Sequence, residues 1–145
     1  MRQEEKEMLY KDLCSRLPYG VKCEVYGRIG VLDEVTTFYG VGVTYSNGQD
    51  TTCRIDECKP YLFPISSMTE EMLEELNENG FFKYRDTIAN VSNLESKNGI
   101  SKEIYTYIDI ESISFLTEFF HSKHIDYRGL IPMGLAKDAT GLNIY

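Results

Sequence analysis

Between His121 and Ala136 the chain gathers two histidines, an aspartate, an arginine and two glycines: His-Ser-Lys-His-Ile-Asp-Tyr-Arg-Gly-Leu-Ile-Pro-Met-Gly-Leu-Ala. These are the only two histidines in the sequence. His121 and His124 are three positions apart, so on a helix both can face one side, and Asp126 follows just beyond. Two imidazoles and a carboxylate supply three ligands for Zn²⁺ or a similar ion, which makes His121, His124 and Asp126 the candidate metal set. A catalytic base needs a nucleophile beside it, and none is spaced near these residues.

The competing interpretation of the same stretch is structural. Position 124 extends the apolar stripe of Leu116 and Phe120, and a histidine near a helix C-terminus is favoured by the dipole. Asp126 is placed to cap a following turn. Arg128 is placed to pair with Asp126 or with a carboxylate of the acidic segment near residue 70. Tyr127, Leu130 and Ile131 would fill the core, while Gly129 and Gly134 permit tight passage. Caps and core fillers are the commoner uses of such residues, so Asp126, Arg128 and Gly129 are assigned to a structural latch. No catalytic residue is assigned and no cofactor is expected. The chain has no Ser/His/Asp motif, paired C-x-x-C, P-loop or H-E-x-x-H. Gly27 to Gly30 lacks the strand-then-helix setting and the Lys-Ser/Thr of a phosphate loop.

The elements that would position these residues follow from periodicity. Residues 4–17 predict a helix, with Met8, Leu9, Leu13 and Leu17 at helical spacing and Glu4, Glu5 and Glu7 in the first turn. From Val21 the period switches to two. Short strands are expected around 21–25, 29–35, 41–45 and 51–55, with a hairpin at Asn47-Gly48. This meander over 21–56 is too short for a sandwich and fits a small, strongly bent sheet or SH3-like barrel. Residues 57–66 are expected to form an extended or 3₁₀ connector, because Pro60 and Pro64 cannot donate ladder hydrogen bonds. Ser67-Met-Thr-Glu70 predicts a capping box opening a helix over 67–80, with Gly80 at its end. Residues 81–103 are expected to be a variable loop region, with Ile88, Val91 and Leu94 at most a short helix. Residues 104–145 predict a strand, a helix to about His121 or Lys123 with Ile113, Leu116 and Phe120 buried, and the turn motif described above. The fold class is therefore α+β: the bent sheet, an N-terminal helix, and two or three further helices around it, in a single domain over 1–145.

Composition narrows the function classes. A length of 145 residues suffices for a core without metal or disulfide help. With 15 Lys and Arg against 23 Asp and Glu, the net charge is -8. That argues against generic nucleic-acid binding, which needs cations to replace condensed counterions, and against anionic membrane surfaces. No run of apolar residues approaches a membrane span, and residues 1–17 lack the apolar region of a secretory signal, so a cytoplasmic location is expected. Cys14, Cys23, Cys53 and Cys58 do not form zinc knuckles, and are expected to be free thiols acting as small hydrophobes.

Two blocks carry a family resemblance: Lys59-Pro-Tyr-Leu-Phe-Pro-Ile-Ser-Ser-Met-Thr-Glu-Glu71 and Asp126-Tyr-Arg-Gly-Leu-Ile-Pro-Met-Gly-Leu-Ala136. The chain from about Leu9 to Leu142 resembles a family of small uncharacterised proteins of gut bacteria, often found in prophage-like or other mobile regions. The resemblance implies a cytosolic protein with a role in mobile-element biology, and no activity, cofactor or catalytic residue. The first expectation for function is a non-enzymatic module that binds a protein partner through exposed aromatics, with Tyr26, Tyr39 and Tyr45 as candidates. The alternatives are a small metal protein or enzyme built on His121, His124 and Asp126, and an acidic nucleic-acid mimic in phage defence or counter-defence.

Overall fold

The computed structural model describes residues 1–84, 87–90 and 110–145. In chain order the elements are α1 (Gln3–Arg16), β1 (Lys22–Val25), β2 (Arg28–Val35), β3 (Gly40–Tyr45), β4 (Asp50–Arg54), β5 (Cys58–Leu62), α2 (Glu70–Glu78), β6 (Phe81–Tyr84), β7 (Thr87–Asn90), α3 (Ile110–Ser122) and β8 (Lys137–Asp138). They divide into two compact units, Met1–Pro64 with Phe119–Tyr145, and Ile65–Glu118. The expected strand within 104–109 and the expected features of 91–103 lie outside the described residues.

In the first unit, six strands form one curled sheet in the order β4-β3-β2-β1-β5-β8, an SH3-like bent sheet within an α+β fold. All pairings are antiparallel except β5 with β8. Tyr26 and Gly27 link β1 to β2 with φ of 51° and 75°. Positive φ at both central residues is the type I′ geometry whose twist matches that of the flanking strands. Gly48, at φ 81°, closes the β3–β4 hairpin at the expected Asn47-Gly48. Gly30 faces inward where a Cβ would lie 3.0 Å from the Thr44 carbonyl and 3.1 Å from the Tyr45 ring, so β2 and β3 approach closely there only without a side chain.

The proline-containing stretch after β4 departs from expectation. After a 3₁₀ turn at Ile55–Glu57 it forms β5, with Pro60 inside the strand opposite Cys23. The register explains why proline is tolerated. The two-residue β1–β2 turn makes Val25 and Arg28 a hydrogen-bonded pair, and bonding sides alternate along β1. Glu24 then bonds towards β5 through Lys59, and Pro60 turns its nitrogen away from β1. On that outer side β8 reaches only Tyr61 and Leu62, so no acceptor waits for a missing N–H.

α1 covers the inner face of the sheet. Its buried positions are Leu9, Asp12, Leu13 and Arg16, one stripe at helical spacing in which two of the four residues are charged. Leu9 and Leu13 join Val21, Val25, Val43 and Leu62 in one core cluster. Each such side chain contributes about 1.5–3 kcal/mol by leaving water. Cys23, Cys53 and Cys58 are buried in the same core and Cys14 is exposed, all four as free thiols.

In the second unit, α2 starts at Glu70 with Thr69 as its cap; Thr69 Oγ1 accepts from the Met72 amide at 3.3 Å. Ser67 is not the cap, because Ile65–Ser67 forms a 3₁₀ turn that delays the helix. Gly80 ends this segment at φ 83°. Residues 81–90, expected to be loop, contain the antiparallel pair β6–β7, so Ile88 belongs to a strand. The polar turn residues that suggest a loop begin only at Asn90, and the strand pair before them is anchored by Phe81, buried and stacked on Phe115 with ring centroids 6.0 Å apart. Ile113 of α3 is half exposed and does not line the buried face.

Candidate functional site

The histidine-rich stretch is built around the end of α3. The His124 amide bonds the His121 carbonyl at 3.2 Å and the Ile125 amide bonds the Phe120 carbonyl at 2.8 Å, with His124 at φ 57°. These two bonds around a left-handed residue form a Schellman cap, a position usually given to glycine. The chain then passes beside β5, with the Phe63 amide bonding His124 and the Asp126 amide bonding Phe63, both at 2.8 Å.

Arg16 of α1 reaches this cap from inside the protein. Its guanidinium donates to Asp12 at 2.7 Å, to the Ile125 carbonyl at 2.7 Å and to the Phe120 carbonyl at 3.4 Å. Both Asp12 and Arg16 are 0 % exposed. Arg128 Nε stands 3.2 Å from the other Asp12 oxygen, an ion pair without hydrogen-bond alignment. Among the described residues Arg128 thus pairs with Asp12 of α1 and not with Asp126. Two arginines around one buried carboxylate fasten α1 to the end of α3. A pair desolvated this fully holds geometry at least as much as it stabilises.

The three candidate metal ligands do not converge. Asp126 accepts from the amides of Leu130 and Ile131, both at 2.8 Å, so one carboxylate oxygen caps each N–H of the following turn. His121 is buried, its Nε2 lies 3.0 Å from the Tyr127 hydroxyl, and Tyr127 stacks on Phe120. His124 instead stacks on Tyr145, with ring centroids 3.9 Å apart. Among the described residues no group of three or more potential ligands could hold a metal ion. Burial, reinforced by the Arg16 charge, lowers each histidine to a pKa of about 4, so both imidazoles are neutral near pH 7. The stretch is a packed joint in which His121, Asp126 and Arg128 each contact a neighbouring segment, while among the described residues the buried His124 Nδ1 finds no hydrogen-bond partner. Gly129 contributes a φ of 74° to it.

Tyr145 completes the joint. Its hydroxyl accepts from the Lys22 amide at 2.9 Å and donates to the Tyr61 carbonyl at 2.7 Å. A phenol therefore sits between β1 and β5 where the next ladder bond would form. Burial raises its pKa.

The three candidate tyrosines do not share one surface. Tyr26 is 61 % exposed and its hydroxyl donates to Glu57. Tyr39 is half-buried against Tyr10 and accepts a bond from Gln3. Tyr45 is a core residue at 6 % exposure, its hydroxyl donating to the Val25 carbonyl and its ring covered by Arg28 at 3.8 Å. Its place in an alternating strand run was the signal that it faces inward. Phe38, which is not among the candidates from sequence, is 92 % exposed in the turn between β2 and β3. An aromatic among turn residues, outside any alternating run, is the sequence signal that could have identified it.

No protein-family model matches the chain, and neither does any curated protein or solved structure. Among the described residues no helix is long and apolar enough to cross a membrane.

Proposed function

We propose that this protein is a non-enzymatic interaction module that engages a protein partner through the tips of its bent sheet, with Phe38 as the principal anchor. The observation that carries this is the 92 % exposure of Phe38 on a tight turn. Its neighbour Tyr39 is held at φ 62° by Tyr10 and Gln3. A left-handed aromatic costs on the order of 1–2 kcal/mol, and such strain gathers where a surface is shaped for use. Aromatic side chains displayed on rigid turns are the usual anchors of protein interfaces. Tyr26 stands at the far end of β2, roughly 25 Å away for an eight-residue strand. It belongs to a separate contact. The resemblance to gut-bacterial mobile-element proteins supports a cytoplasmic setting in a prophage or related element.

The test is partner capture in the native host with tagged wild type and Phe38→Ser. An exposed turn substitution shifts stability by no more than about 0.5 kcal/mol, so lost capture reports a lost contact. Specific capture by wild type and its loss in Phe38→Ser is expected. Identical captured proteins for both chains would overturn the assignment of Phe38.

A further inference from the structure

The outward face of β2 carries a second feature, independent of Phe38. Ile29 and Val31 are 40 % and 39 % exposed on adjacent outward positions of the strand. With Ile144, Asn143, Thr44 and Lys22 they line a groove of about 480 Å³ between the sheet and the segment following β8. Lys22 is already committed, its ammonium bonded to the Ile144 carbonyl and lying over the Tyr145 ring. The groove therefore has an apolar floor and no free cation from Lys22.

Farther along the same strands a separate concavity of about 520 Å³ is lined by Asp33, Glu34, Gly42 and Asp50. Thr44 links the two, since it sits opposite Val31 in the ladder and its hydroxyl reaches both Asp33 and Asp50. A hydroxyl has one hydrogen, so it satisfies one of these carboxylates at a time. Gly42 keeps the concavity open, because a Cβ there would stand 2.8 Å from the Asp33 carboxylate.

Resting on the reading of this protein as an interaction module, we infer that this face binds an extended segment of a partner protein carrying an aliphatic residue and, two positions away, a lysine or arginine. The ladder shifts register between Leu32 and Glu34, but Thr44, the cross-strand partner of Val31, bonds Asp33, which puts the Val31 and Asp33 side chains on one face about 7 Å apart. An extended ligand lying along β2 presents its own i and i+2 side chains at that same spacing, the aliphatic over Ile29, Val31 and Ile144 and the cation over Asp33 and Asp50. Charge complementarity selects the occupant. The carboxylates reject an acidic segment and steer a basic one, on a chain whose net charge is already -8.

The probes are two synthetic peptides, Ac-GSVIVKRKGS-NH2 and its charge-reversed counterpart Ac-GSVIVEDEGS-NH2, titrated into the ¹⁵N-labelled full chain. The basic peptide is expected to shift the amides of Ile29, Val31, Thr44 and Ile144, and the acidic one to leave them unmoved. Asp33→Asn with Asp50→Asn keeps the acceptors for Thr44, and is expected to weaken binding by about threefold to tenfold, with added salt doing the same. Val31→Thr keeps a β-branched strand residue and is expected to weaken binding several-fold, with the dispersed spectrum confirming the fold. Equal binding of both peptides, no shifts at these amides, or concentration-dependent shifts without peptide (a second copy as the occupant) would each overturn the inference. Those results leave capture through Phe38 intact, whereas loss of all partner capture by wild type would remove the underlying reading itself.

Discussion

Replacing Arg16 with Met tests whether the joint between α1 and the end of α3 is what the geometry says. Arg16→Met keeps the aliphatic stem and deletes the guanidinium. Asp12 is then left fully buried with only Arg128, whose Nε is 3.2 Å away and poorly aligned. The carbonyls lose less, because Ile125 still receives the Tyr127 amide at 3.1 Å and Phe120 still receives the Ile125 amide at 2.8 Å. The dominant cost is therefore the orphaned carboxylate. Removing one partner of a buried pair costs about 3–5 kcal/mol, a large share of the roughly 5–15 kcal/mol that holds a domain together. At about 2 kcal/mol per molar urea, the midpoint followed by circular dichroism should fall by roughly 2 M. Arg16→Met combined with Asp12→Leu removes the orphan as well, and should recover part of that loss, leaving the double variant more stable than the single one. A single-variant shift below about 0.5 M, or a double variant worse than the single, would refute the assignment of Asp12 and Arg16 as a coupled buried pair.

The remaining predictions concern the same joint and the sheet. His121 and His124 have folded pKa values near 4 against 6.5 when free, so stability is full above pH 6.5 and declines as pH falls from 6.5 towards 4, where the unfolded chain takes up protons the folded one refuses. Urea titrations at pH 7.5 and pH 5 should differ by roughly 1–2 kcal/mol per histidine, and His121→Asn should flatten that dependence by about half. His124→Gly should be more stable than His124→Ala by about 1 kcal/mol, since both lose the Tyr145 stack and only alanine retains the left-handed strain; equal midpoints would contradict the Schellman assignment. Asp126→Ala strips both oxygens from the amides of Leu130 and Ile131 and should cost about 2–3 kcal/mol, with Asp126→Asn falling between it and wild type in thermal melts. Gly30→Ala should lower the melting temperature at a cost of about 1–3 kcal/mol, because the backbone of Thr44 leaves no room for a Cβ.

What was legible in the sequence is what local periodicity encodes. Val21, Cys23 and Val25 alternate with polar neighbours, and that alternation places the strand and its buried face without reference to anything distant. Asn47-Gly48 likewise identifies its hairpin, because positive φ is a property of the residues themselves. Gly80 closes its segment for the same reason. Other features depended on partners far along the chain. Pro60 could enter a strand only because β8, 77 residues later at Lys137, stops short of it. Asp12 and Arg16 look like ordinary surface charges of an amphipathic helix. They are buried because the carbonyls of Phe120 and Ile125 and the charge of Arg128, more than a hundred residues away, supply their partners. His121 and His124, three apart on one helical face by sequence spacing, part company because the Schellman turn reverses the backbone at His124 and Tyr145 takes its ring. Periodicity reports which face of an element is apolar. Only tertiary structure decides which charges are drawn into the interior, because burying a charge requires a partner that no local pattern can name.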